Sequence, residues 1–235
     1  MPAGILTDVV ATLFGGVAGC LLGDRISDRY KNLLNNMLGM SAIVMGITLV
    51  VKVHSLSAAI LSLLIGAVLG ETIRLEDRVN HVAASITARI AGGADAAPSY
   101  LAAVSAALVL FCFGGTGWFG ALNEGITGDG SMLVTKSILD CVTACIFAAI
   151  HGKLIPLLSI PEFCVFMTLY LISGTVSPLI TPEMTADFSA VGGIITITAG
   201  LRLTKIKTDI KVLNLLPALI LSFIVSALWT AFTGA

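Results

Sequence analysis

Lys136 and Asp140 stand four residues apart inside an otherwise apolar stretch, residues 132–151. That spacing puts both side chains on one face of a helix. Lysine comes first and the acid second, the weaker order for an in-helix pair, so helix stabilisation explains them poorly. An ionisable group inside a bilayer is costly and persists where it finds a partner, water or an ion. Lys136 lies one turn from the end of the stretch and could extend its amine out of it. Asp140 lies roughly 12 Å along at about 1.5 Å per residue, too deep for a short side chain to escape. The chemistry these two residues suit is binding of a cation or proton by Asp140, with Lys136 as partner or gate. A static buried ion pair is the structural alternative.

Just upstream, residues 114–130 hold seven glycines together with Asn123, Glu124 and Asp129. So glycine-rich a segment is not expected to hold a plain helix. Irregular backbone at membrane depth survives only where it is buried in protein or lines water. The expectation is a loop folded back so that Asn123, Glu124 and Asp129 lie above Asp140; an exposed turn is the alternative. Asn214, in Asn214-Leu215-Leu216-Pro217, is a further candidate, because a proline there either starts the last helix or unwinds it, and broken helices build transporter sites. Asp8 marks the outer interface. The hydroxyls of Thr168, Ser173, Thr196 and Thr198 could line a path, although such groups more often bond their own helix backbone.

The elements that must position these residues are membrane-spanning helices. The chain has 235 residues, 57% hydrophobic and 11% charged, against about a quarter charged in soluble domains. A bilayer core about 30 Å thick needs about 20 apolar residues per helix. Stretches of that kind fall at 4–23, 34–52, 56–73, 99–118, 132–151, 162–180, 186–203 and 212–233. The expected fold is therefore all-α, a polytopic bundle of about eight spans forming a single membrane domain.

Basic residues orient it. Arg25, Arg29 and Lys31 follow the first span, and Arg74, Arg78 and Arg89 follow the third. Lys153 follows the fifth, and Arg202, Lys205, Lys207 and Lys211 the seventh. These eleven share one side, which the positive-inside rule assigns to the cytoplasm, leaving both termini extracytoplasmic. A lipobox-like Val17-Ala18-Gly19-Cys20 lacks the basic stretch that precedes a signal peptide's apolar run. Between spans three and four, Leu75, Val79, Val82, Ile86 and Ile90 recur at helical steps, so an amphipathic helix over 74–90 on the cytoplasmic surface is expected.

Glycine is placed as well as abundant. Gly15, Gly19 and Gly23 share one face of the first span, and Gly66 and Gly70 one face of the third, a spacing that lets helix backbones approach. The same faces could carry a homo-oligomer. Gly39 to Gly46 and Gly193 to Gly200 repeat one pattern, glycine, six residues, glycine, in spans two and seven. That could be the trace of an inverted repeat.

Several classes of function are excluded or disfavoured. A formal net charge of −1 implies no attraction to nucleic acid. The five cysteines all fall in expected spans without metal-ligand spacing, and no nucleotide, zinc or nucleophile motif is present. No enzyme, cofactor or metal is expected; the partners are the lipid bilayer and a cation or proton.

The chain resembles a bacterial inner-membrane family, the domain of unknown function 554 proteins. The likeness is carried by Gly15-Gly16, Gly66 through Gly70-Glu71, Phe119 through Asp129, Lys136 through Asp140, Gly192-Gly193 through Leu201, and Asn214 through Ala218. It departs at Cys141, where the family's pattern suggests glycine, and at Tyr170 through Gly174, where a Tyr-Gln-Gly-like element is missing. The resemblance implies a multi-pass protein of the bacterial cytoplasmic membrane without an established activity. The expected function is a small-solute or ion transporter with Asp140 and Lys136 as coupling or gating pair. The alternatives are a channel and a non-transporting scaffold or regulator.

Overall fold

A computed structural model describes residues 2–22, 28–90, 104, 107–112, 115–204, 206 and 210–233. The expected fourth span lies largely outside these residues, as do Gly23, Arg25, Lys205 and Lys207. The described residues are helical, with no strand among them. The helices are α1 (Ala3–Leu22), α2 (Asp28–Val50), α3 (Leu56–Thr72), α4 (Leu75–Ile90), α5 (Gly115–Thr127), α6 (Ser131–His151), α7 (Leu154–Leu157), α8 (Ser159–Val176), α9 (Pro182–Leu203) and α10 (Pro217–Thr233). Five stretches are long and apolar enough to cross a membrane: Ala3–Leu22, Ser131–His151, Leu154–Thr175, Pro182–Arg202 and Val212–Thr233. Leu56–Thr72 with Leu75–Ser85 would be a sixth, as one broken span, and Asn36–Val50 is a shorter apolar helix. Many large apolar side chains point outward, Phe14, Val44, Val68, Ile138 and Leu228 among them. That is the pattern of helices solvated by lipid.

The chain divides into two compact units, Met1–Asn35 with Asp77–Gly174, and Asn36–Glu76 with Thr175–Ala235. In the first, α1 and α6 run parallel in close contact. A side chain at Gly15 or Gly19 would collide with the backbone of Cys141 or Cys145, so the glycine face of α1 is spent inside the chain. An apolar cluster of Ile5, Ala121, Leu133 and Phe166 lies beneath the charged site described below. A second gathers Leu108, Phe111, Ala144, Ile155 and Leu158 with Ala83 of α4. Along α4 the buried line passes through half-buried Leu75 and Val79 to Ala83, whereas Val82 of the expected stripe is 49% exposed. The small alanine sits where packing is tightest.

In the second unit, α3 packs against α10 and the 3-10 turn Val212–Leu215 before it. Gly66 meets Ala218 and Gly70 meets Asn214, so the helices are antiparallel. The two matched glycine patterns meet each other: Gly39 lies on the Gly200 carbonyl and Gly46 on that of Gly193, each glycine admitting the other. The two patterns thus face each other across one antiparallel interface. Asp187 of α9 fastens this unit. Its Oδ1 accepts from the His54 and Ser55 amides at the start of α3, and its Oδ2 accepts from the Ser226 hydroxyl of α10. Pro217 begins α10, one residue after the 3-10 turn, where its missing N–H costs nothing.

Two expectations need correction. Residues 115–127 form a regular helix, α5, instead of an irregular loop. Its glycines are contact residues: Gly117 lies against Phe166, Gly120 against Leu133, and Gly125 against Ser173 and the Tyr170 carbonyl. The packing this permits offsets the low intrinsic helicity of glycine. The apolar stretch long enough for the sixth expected span begins before residue 162: it is Leu154–Thr175, with a break between α7 and α8, and it includes Glu162.

Candidate functional site

Lys136 is the centre of a four-residue ionic cluster in the first unit. Its Nζ donates to Asp8 Oδ2 at 2.8 Å, to Asp140 Oδ2, and to Glu162 Oε1 at 3.4 Å. The Phe166 ring lies beneath the ammonium, its centroid 5.1 Å away. All four side chains are buried: Asp8 and Glu162 are 0% exposed, Lys136 4% and Asp140 8%.

Three elements supply them. Asp8 occupies the second turn of α1, and the parallel α1/α6 contact sets it beside Lys136. Asp140 follows one turn after Lys136 on α6. Glu162 lies in the first turn of α8, just past the break at Leu158, where a negative side chain suits the helix dipole. Gly117 keeps α5 close, since a methyl group there would meet both Phe166 and the Lys136 stem.

The charges do not balance. Three carboxylates and one ammonium carry a formal −2. Asp8 Oδ1, Glu162 Oε2 and the hydroxyl of Thr12 are buried without a hydrogen-bond partner. Thr12 is one turn along α1 from Asp8, and its hydroxyl is near enough to the Glu162 carboxyl to interact with it, although no hydrogen bond of good geometry closes. One oxygen from each of Asp8, Asp140 and Glu162 lies within 4.8 Å of the others.

Among the described residues, the other buried acids are fully engaged. Glu124 Oε1 and Oε2 accept from the Gly4 and Ile5 amides at 2.7 and 3.1 Å. Glu76 accepts from Arg202 at 2.9 Å and from the Leu213 amide at 3.2 Å. Asp187 has the three donors named above. A buried polar group without a partner costs free energy, so orphaned oxygens on a cluster already in charge excess are the distinctive feature of this molecule.

The expected site is therefore partly reassigned. Lys136 and Asp140 do meet, but as half of a larger cluster. Glu124 caps the start of α1. Asn123 donates to the Asp129 carbonyl at 3.1 Å, and Asp129 Oδ1 accepts from the Ser131 amide at 2.9 Å, so both secure the turn into α6. Asn214 belongs to the second unit. Its Oδ1 accepts from the Glu76 amide at the start of α4 and its Nδ2 donates to Glu71, a network that Lys211 joins through Glu71 at 3.2 Å. The hydroxyls of Thr168, Ser173, Thr196 and Thr198 bond carbonyls of their own helices.

Sequence reasoning passed over Asp8, read as an interface marker, and Glu162, placed at a span edge. The available signal was an acid in each of three apolar stretches that hold only one lysine between them. Partners 128 and 26 residues from Lys136 leave no trace in local spacing.

Helices of spanning length with a lipid-facing surface and buried ionisable groups define a helical membrane protein. The chain belongs to the family described as "Protein of unknown function (DUF554)", which it matches over residues 3–227. It is 42% identical over 234 residues to "Uncharacterized protein YqgA" of Escherichia coli strain K12, covering 99% of both chains. It is 28% identical over 235 residues to "Uncharacterized membrane protein YdfK" of Bacillus subtilis strain 168, covering 97% of both. No solved structure matches it.

Proposed function

We propose that this protein is a secondary transporter of the bacterial cytoplasmic membrane, and that Asp8, Lys136, Asp140 and Glu162 form its ion-coupling site. One observation carries the reading: three carboxylates from three helices converge on a single lysine, two negative charges in excess. A structural ion pair needs no such surplus, and a buried charge without compensation is strongly unfavourable. An exchangeable cation or proton offsets it. Binding a cation draws α1, α6 and α8 onto shared oxygens, and its release loosens them. This coupling of occupancy to helix packing is what alternating access requires. The break between α7 and α8 lets Glu162 shift without moving a whole span. Both termini lie outside, and the eleven basic residues face the cytoplasmic leaflet.

The test uses purified protein in vesicles carrying cation and pH dyes and loaded with a soluble bacterial metabolite extract. The wild type is expected to move a cation saturably, and Asp140→Asn to lose at least tenfold of that rate. Cation fluxes no greater than in protein-free vesicles, or an Asp140→Asn variant as active as the wild type, would overturn the proposal.

A further inference from the structure

The geometry points to a divalent cation, held beside Lys136 by Asp8, Glu162 and Thr12 with Asp140 completing the charge. This deepens the ion-coupling reading and rests on it. Lys136 uses one oxygen of each carboxylate: Oδ2 of Asp8, Oδ2 of Asp140 and Oε1 of Glu162. The oxygens it leaves unpartnered are Asp8 Oδ1, Glu162 Oε2 and Thr12 Oγ1, all on fully buried residues. Thr12 is the independent sign. A buried threonine hydroxyl ordinarily bonds a carbonyl of its own helix; Thr12 Oγ1 closes no such bond, and its oxygen can offer a lone pair to a bound cation.

Charge selects the valence. With all three acids ionised and Lys136 in place the cluster carries a formal −2, which one divalent ion cancels and one monovalent ion leaves half cancelled, the remainder then falling to a proton. Donor type selects the class. Carboxylate and hydroxyl oxygens suit hard cations such as Mg²⁺, Ca²⁺ and Mn²⁺, whose bonds run about 2.0–2.6 Å. Two such bonds bridge oxygens up to about 5 Å apart, and one oxygen from each of Asp8, Asp140 and Glu162 lies within 4.8 Å of the others. The ammonium of Lys136 then acts as a fixed neighbour that orients the carboxylates, not as the ion's competitor.

The test is Mn²⁺ binding to the purified full chain in detergent, followed by the loss of the free-ion electron paramagnetic resonance signal, with Mg²⁺ and Na⁺ as competitors. The expected result is one Mn²⁺ per chain, displaced by Mg²⁺ and indifferent to equimolar Na⁺. Glu162→Gln should weaken binding at least a hundredfold. Thr12→Val, which keeps the side chain's volume and leaves the carboxylates alone, should weaken it about tenfold. Three results would overturn the inference: no binding of Mn²⁺ or Mg²⁺ by a wild type that moves cations in vesicles, displacement by Na⁺ as readily as by Mg²⁺, or undiminished binding in Thr12→Val and in Glu162→Gln. The first refutes the divalent site and leaves the transporter standing. Stoichiometric Mn²⁺ binding without any flux would do the reverse.

Discussion

At the scale of single residues, a buried acid has two different meanings here, and hydrogen bonding separates them. Glu124, Glu76 and Asp187 present both oxygens to donors, mostly backbone amides at helix or turn starts. They are structural. Asp8 and Glu162 keep an oxygen idle, and they sit in the site. Replacing Glu124 with Gln should thus lower the melting temperature in detergent, by the cost of weakening a helix cap, about 0.5–2 kcal/mol, while leaving cation flux near the wild-type rate. A flux loss matching that of Asp140→Asn would return Glu124 to the site. Lys136→Met removes the only ammonium among three carboxylates. Breaking a buried ion pair on one side costs about 3–5 kcal/mol, so the variant should melt far below the wild type. Adding Asp8→Asn should recover part of that loss, and a double variant no more stable than the single one would contradict the ionic account. Of the four cluster residues, Lys136 and Asp140 were legible as chemistry because they lie on one turn of one helix. Asp8 and Glu162 were not, because their relation to Lys136 exists only across helices.

At the scale of elements, glycine position decides which helices touch. Gly15 and Gly19 bring α1 onto α6 and with it Asp8 onto Lys136, so the packing face and the charged face of α1 are one construction. Gly15→Val should force the helices apart at an overpacking cost of about 1–3 kcal/mol and abolish flux with it. Gly174→Ala, whose new methyl group would meet the Gly125 carbonyl at an ordinary 3.4 Å, should be silent. Equal thermal stability of the two variants would refute this assignment. The same physics explains why residues 115–127 are helical despite their glycines. A glycine weakens a helix in water, yet at a crowded crossing its missing side chain is what lets the neighbour in. Composition alone could not tell these uses apart, since contact partners such as Phe166 lie far along the chain.

At the scale of the whole molecule, α1 and α6 run parallel, and α2 with α9 and α3 with α10 run antiparallel, as judged from their glycine contacts; the orientation of the chain in the membrane is a separate expectation. We expect an alkaline phosphatase fused to the C-terminus to be active and a fluorescent protein fused there to be dark in bacteria. The opposite pattern would reverse the orientation drawn from Arg and Lys.

Residue types and their order along the chain were enough to determine that this is an all-helical membrane protein, where most of its helices lie and that Lys136 with Asp140 is unusual. Those properties depend on local quantities: apolar length, helical spacing and the cost of burying charge. Tertiary structure alone decided that Asp8 and Glu162 join them, that Glu124 caps a helix, and that two glycine patterns face each other. Each of these is a contact between residues distant in the chain, fixed by how closely helix backbones can approach, and no window of sequence contains both sides of it.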